Sequence, residues 1–151
     1  MPHHTDFYPM PMFPTLSVRN IDLSTSWYTD KAGFSLVFSM PGPGDTASLA
    51  HLRWRKYADL LLVPGTNSAY ATHAKGAGVT LCFLVETETV DDMVARLAES
   101  GVELEEGPVE RPWNTREIVV LDPDGYRLIF FEPIDVSRTF EDVIESASGR
   151  R

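Results

Sequence analysis

Apolar and polar positions run through the same order twice along this chain. Residues 13–19, Phe-Pro-Thr-Leu-Ser-Val-Arg, alternate as a half-buried strand does. Residues 22–31 put Leu23 and Trp27 on one helical face, with Asn20 or Asp22 to cap it and Gly33 to end it, and residues 35–39 are β-rich again. Much later, residues 80–86 read as a strand and residues 89–99 as a helix, with Val90, Met93, Val94 and Leu97 at i, i+3, i+4 and i+7. Thr89 and Asp92 form a capping-box pattern and Gly101 stands where a left-handed terminator belongs, before a short β-like stretch at residues 103–105. Gly33 and Gly101 lie 68 positions apart, Val18 and Val85 67, and Tyr57 and Tyr126 69. Each half closes with a matching strand, residues 57–64 against 126–133. The order β-α-β-β-β therefore occurs twice, which predicts an α+β fold built from an internal repeat.

Turn chemistry sets the boundaries. Asp122-Pro-Asp-Gly125 separates strand-like residues 117–121 from 126–132 and predicts a hairpin with a purely structural turn. An extended arm is expected at residues 1–12, since Pro2, Pro9 and Pro11, with Pro14 just beyond, disfavour regular structure. The first module then covers residues 13–64, a linker with Gly65, Gly76 and Gly78 covers 65–78, and the second module covers 79–135. In the tail, residues 136–151, Thr139 opens a short amphipathic helix through Ile144, with fraying beyond Ser146.

Composition narrows the function classes. The chain has 151 residues, 43% hydrophobic and 23% charged, one domain's worth of ordinary globular sequence. Thirteen Lys and Arg against 22 Asp and Glu leave a net charge of −9, which repels phosphate backbones and makes nucleic acid a poor partner, while cationic small molecules suit it better. Cys82, as the one cysteine, excludes an intramolecular disulfide. No apolar run reaches the roughly 18–20 residues of a membrane span and the first twelve residues lack a signal-peptide pattern, so a soluble cytoplasmic protein without membrane contact is expected. His3 and His4 are read as solvated rather than as a metal tract.

The joint pattern of Leu16-Ser-Val18, residues 22–26, Trp27-Tyr28, Gly33-Phe34, Pro112-Trp113, Arg116-Glu117 and Asp122-Pro-Asp-Gly-Tyr-Arg-Leu128 resembles the vicinal oxygen chelate superfamily, which holds glyoxalase I, bleomycin-resistance proteins, fosfomycin-resistance enzymes and extradiol dioxygenases. The resemblance covers residues 13–133. It implies two tandem βαβββ modules whose strands curl into a half-open cup, with ligand inside and helices outside. Leu16 and Val18 then face the helix, whereas Phe13, Thr15 and Ser17 look into the cup.

Enzymes of that superfamily hold a divalent metal through His and Glu side chains on the first and last strands of the modules. Carried over by spacing, these positions fall at Phe13, Leu60, Thr80 and Ile129, one neutral hydroxyl and three hydrocarbons, so a cup without metal or other cofactor is expected. His51, phased away from the cup, His73 in the linker and Glu132, one residue off the inward phase, do not rebuild the site. Glu117 shares its inward phase with Val119 and has two readings: an anchor for a cationic ligand, or a general base if burial raises its pKa, set against a plain ion pair with Arg116, Arg127 or another basic group. Trp113, with Phe13, Phe38 and Phe131, forms an expected stacking surface, and Asn114 after it tolerates the positive φ of a turn. Trp54, in the basic stretch Arg53-Trp-Arg-Lys56, is expected at an exposed edge or dimer contact.

Two functions follow. The first is a metal-free protein that binds an aromatic or amphipathic organic molecule, cations included, as bleomycin-resistance proteins sequester antibiotic. The second is a lyase, isomerase or dioxygenase, metal-dependent through other ligands or using Glu117 as acid or base. The expected ligand contacts are Phe13, Phe38, Leu60, Thr80, Trp113, Glu117, Val119, Ile129 and Phe131, and a homodimer is expected from the open sheet edges.

Overall fold

The computed structural model describes residues 6–65 and 75–149, so His3, His4, His73 and most of the expected linker lie outside the described residues. Two units make up the chain: Met1–Val79 with Asp122–Tyr126, and Thr80–Leu121 with Arg127–Arg151.

In the first unit, β1 (Thr15–Val18) leads into α1 (Ile21–Ser26), which Asn20 caps by accepting the Leu23 N–H at 3.0 Å and which continues as a wider π-helical turn, Trp27–Ala32. That turn ends where Gly33, at φ 100°, sends its own N–H and that of Phe34 back to the Tyr28 carbonyl. β2 (Ser35–Pro41), β3 (Ala47–Arg55) and β4 (Ala58–Pro64) complete a sheet ordered β1-β4-β3-β2, with β1 and β4 parallel and the other pairs antiparallel. Leu16, Val18, Leu52 and Leu62 are buried, and Trp27, Tyr28, Phe34 and Trp54 form a chain of ring contacts with centroids 5.0–5.2 Å apart. The Asp122–Tyr126 turn belongs to this core. Asp122, buried, accepts the Tyr28 hydroxyl at 2.7 Å and the Asp124 and Tyr126 amides at 2.9 Å, so the turn is structural, as its sequence suggests.

The second unit repeats the topology. β5 (Thr80–Leu84), α2 (Val90–Glu99), β6 (Glu106–Arg111), β7 (Thr115–Leu121) and β8 (Arg127–Pro133) give a sheet ordered β5-β8-β7-β6, again with only the first pair parallel. Thr89 and Asp92 form the expected capping box, and Val90, Met93 and Leu97 are buried, as are Ile118, Val120, Leu128 and Phe130. Thr139 caps α3 (Phe140–Ala147) in the same way, and this helix buries none of its residues. Among the described residues no helix is long and apolar enough to cross a membrane.

Four expectations change. Leu60 does not face the open side of its sheet: it is fully buried beside Leu52, and Leu61 takes the open position. The cause is the connection before it. β3 runs through Arg55, leaving Lys56 and Tyr57 as a tight turn with Tyr57 at φ 64°, whereas five residues join β7 to β8. Aligning Tyr57 with Tyr126 therefore slips the register by one residue and flips the face, while Thr15 opposite Leu61 matches Cys82 opposite Ile129. His51, for the same reason of phase, lies on the open face opposite Leu61. Trp54 is buried against Phe34 rather than exposed, because the strand extends past it. The second strand of the second module begins at Glu106, not Glu103, since a register shift around Gly107 and Pro108 breaks the alternation that the sequence pattern relies on.

Candidate ligand-binding site

Strand alternation builds one polar group into an apolar sheet face in the second unit. On β7, Arg116, Ile118 and Val120 point toward α2, where Arg116 pairs with Asp91 at 2.8 Å, so Thr115, Glu117 and Val119 occupy the other, open face. Register then sets the neighbours: Phe131 and Val109 lie opposite Glu117, Ile129 lies opposite Val119, and Cys82 and Leu84 on β5 flank Ile129 and Phe131. Gly107 permits the approach of β6, since a Cβ there would sit 2.5 Å from the Glu117 carbonyl oxygen.

Glu117 is buried but fully engaged. Its Oε2 accepts from Thr115 Oγ1 at 2.7 Å and from Trp113 Nε1 at 3.1 Å, and its Oε1 accepts from Arg111 Nε at 3.3 Å. Arg111 also donates to Glu106 at 2.8 Å. Burial alone would push the Glu117 carboxyl up, yet the donors from Thr115, Trp113 and Arg111 together outweigh it and hold the carboxyl below its ordinary value. The group is thus an anion at neutral pH, and the condition for acid or base work, a raised pKa, is not met. Partial desolvation, with the Glu117 charge nearby, pushes the Cys82 thiol up, which disfavours a thiolate on this face.

What the carboxylate does instead is hold an aromatic ring in place. Trp113 sits in the turn between β6 and β7, where Asn114, at φ 69°, exchanges hydrogen bonds with Asp135 (Nδ2 to O 2.8 Å, N to Oδ1 3.0 Å). Its N–H is tied to Glu117 while the residue is 51% exposed, so the ring offers its surface in a fixed orientation. Thr80 stands at the edge of the same sheet and accepts from Arg127 at 3.2 Å. Of the expected contacts, Thr80, Trp113, Glu117, Val119, Ile129 and Phe131 therefore belong to the second unit, and Phe13 and Phe38 to the first, where both are exposed; Leu60 is core. Arg111 and Thr115 were not among the expected residues, and Asn114 was expected only as a turn residue. Arg111 and Glu117 are six positions apart and meet only through the β6–β7 hairpin register, so the signal is legible only once that hairpin is drawn.

The family model described as Glyoxalase/Bleomycin resistance protein/Dioxygenase superfamily matches residues 3–130. TioX from Micromonospora sp. ML1 has the same fold, with a TM-score of 0.62 and 23% identity over 85% of this chain and 98% of that one. TnmS3, an antibiotic binding protein from Streptomyces sp. CB03234, is similar with a TM-score of 0.61 and 26% identity over 84% of this chain and 97% of that one. The virulence protein STM3117 of Salmonella typhimurium is 42% identical over 48 residues, 30% of this chain, and the match spans 33% of that curated relative's length. The metal implied by the resemblance does not fit the donors present. Among the described residues no three His, Cys, Asp or Glu side chains gather to hold an ion, and Glu117 spends both oxygens on protein donors.

Proposed function

The chain belongs to the Glyoxalase/Bleomycin resistance protein/Dioxygenase superfamily, and we propose that it is a binding protein for an aromatic or amphipathic small molecule, which stacks on Trp113 beside the apolar side chains of Ile129 and Phe131. The observation that carries this reading is the exposed Trp113 ring fixed by its hydrogen bond to Glu117. Pre-orienting the ring removes ordering cost from binding, and stacking contributes about 0.5–1.5 kcal/mol beyond area burial. Glu117 is thereby a positioning group, and its charge, already met by Arg111, favours a cation less than an unpaired carboxylate would. Similarity to an antibiotic binding protein supports the same class of ligand, and sequestration of an antibiotic is one use of it. A homodimer is part of this reading, supported by the exposed apolar side chains of Val136, Phe140 and Ile144 in the tail; a monomeric mass by light scattering at tens of micromolar would rule it out.

Titration with planar aromatic probes, 9-aminoacridine and uncharged acridine homologues, tests the proposal. The Trp113 indole N–H resonance should move on binding, and Trp113→Ala should weaken the probe by about tenfold or less, the range stacking allows. No movement of that resonance with any planar probe overturns the assignment. Turnover of a substrate that Glu117→Gln abolishes, with binding intact, would instead establish the enzyme alternative.

A further inference from the structure

The tail after the second sheet ends in a helix without a core. α3 buries none of its residues, and its eight residues fall short of the roughly 12–15 that an isolated helix needs to persist in water. Its capping box at Thr139 and Asp142 fixes where it starts, so its faces are defined. Phe140 and Ile144, at i and i+4, are 75% and 50% exposed on one apolar stripe. Glu141 and Glu145, also at i and i+4, run along one edge of that stripe. Across residues 134–149 four acidic side chains stand against one basic, and that one, Arg138, is turned back on the helix, donating to the Asp142 carbonyl at 3.1 Å and to Ser146 Oγ at 2.8 Å. An acidic edge repels both anionic lipid and phosphate backbones, so the stripe suits an apolar surface edged with cations.

The first unit presents such a surface at the turn between β3 and β4. Three of the thirteen Lys and Arg residues fall within residues 53–56. Arg53 is neutralised by buried Asp59, whereas the next two cations lie over rings: Arg55 4.7 Å from the centre of Trp54 and Lys56 4.9 Å from that of Tyr57. Elsewhere Arg19, Arg96 and Arg116 each pair with a carboxylate. Tyr57 holds φ 64°, a conformation that favours glycine or asparagine, and its ring is 57% exposed, so the turn displays an aromatic surface where a smaller residue would close it with less strain. Tyr8 braces it, edge-on at 5.1 Å and with its hydroxyl accepting the Tyr57 N–H at 2.9 Å. Among the described residues Lys56, Glu141 and Glu145 have no ion-pair partner.

We infer that, in the homodimer proposed above, α3 of each protomer docks on the β3–β4 turn of the other. Phe140 and Ile144 pack on the partner's Tyr57 ring, and Glu141 and Glu145 face the partner's Arg55 and the partner's Lys56. A two-fold axis makes the contact twice, so a short helix and a short turn each contribute double to one interface. Opposite charges at its edge set the register and make association weaken with salt. This inference rests on the homodimer reading and is independent of ligand binding at Trp113.

A charge swap on the full chain tests it, with masses from light scattering and dissociation constants from sedimentation. The helix variant, Glu141→Gln with Glu145→Lys, leaves the capping box in place; the turn variant is Lys56→Glu. Each alone should weaken association about tenfold or more, and an equimolar mixture of the two should recover a dimer containing one of each, because every helix then meets a turn of opposite or reduced charge. Should either variant not fold, Phe140→Ala with Ile144→Ala replaces it and should weaken association by a similar factor. An unmodified protein that is monomeric at tens of micromolar overturns both this inference and the homodimer reading. A dimer that all these variants leave intact overturns the inference alone, since the interface then lies elsewhere. Loss of association in both charge variants with no recovery on mixing also overturns it, as a contact of α3 within its own chain would give.

Discussion

The two modules share a strand order and differ in what they do with a carboxylate on the open face. In the first, Asp59 is buried, gripped by Arg53 and His51, and overlain by residues 6–8. In the second, Glu117 is held by Arg111, Trp113 and Thr115, and the ring it positions is half exposed. Their cores differ too: a run of aromatic rings packs the first, and mainly aliphatic side chains pack the second, with Phe83 stacked on Phe130 at 5.4 Å. Topology thus follows the repeated pattern, which any suitable apolar residues satisfy, whereas the chemistry of each face depends on single substitutions on strands of the same order.

Removing the two carboxylates should separate these roles most sharply. Asp59→Ala strands a buried guanidinium and is expected to cost about 3–5 kcal/mol, whereas Glu117→Ala leaves Arg111 paired with Glu106 and its other donors near solvent, for about 1–2 kcal/mol. Urea denaturation of both variants checks this, and equal losses would erase the distinction. The face assignment predicts the next largest contrast. Leu60→Ala should cost about 2–5 kcal/mol through a core cavity, and Leu61→Ala, half-buried on the open side, clearly less; the reverse order in the same measurement would restore the original phase. Tyr28→Phe removes the hydroxyl donor to buried Asp122 and should lower stability by about 1 kcal/mol, without changing ligand binding at Trp113, if the turn's role is structural.

The smallest effect is one of sign. Donors hold the Glu117 carboxyl low, so its contribution is present above the unfolded carboxylate range and is lost as pH falls through the folded value. Burial holds the Asp122 carboxyl high against the hydrogen bond from Tyr28, so its contribution is present below the unfolded value and is lost as pH rises through the folded one. Urea midpoints measured through the acid range should therefore show the advantage of the unmodified protein over Glu117→Gln shrinking as pH falls, and its advantage over Asp122→Asn shrinking as pH rises. Slopes of the same sign would contradict one of the two assignments.

Sequence by itself determined the repeat, both helices of the modules with their caps, the hairpin at Asp122, the positive φ at Asn114 and the inward phase of Glu117, because each depends on neighbours within a few residues or on strict alternation. Tertiary structure decided whatever depended on counting across a turn. A turn of two residues against one of five moved Leu60 into the core, turned His51 to the open face and buried Trp54. It likewise decided the partners of Glu117. Arg111 is brought to the carboxylate by hairpin pairing, and Trp113 by a turn that Asn114 and Asp135 lock, so of the three donors that fix its protonation only Thr115, two residues before it on the same strand face, comes from adjacency. Local pattern carries the energy of burial, which is spread over many interchangeable residues, while a site depends on a few atoms meeting within hydrogen-bond distance, which only the completed sheet enforces.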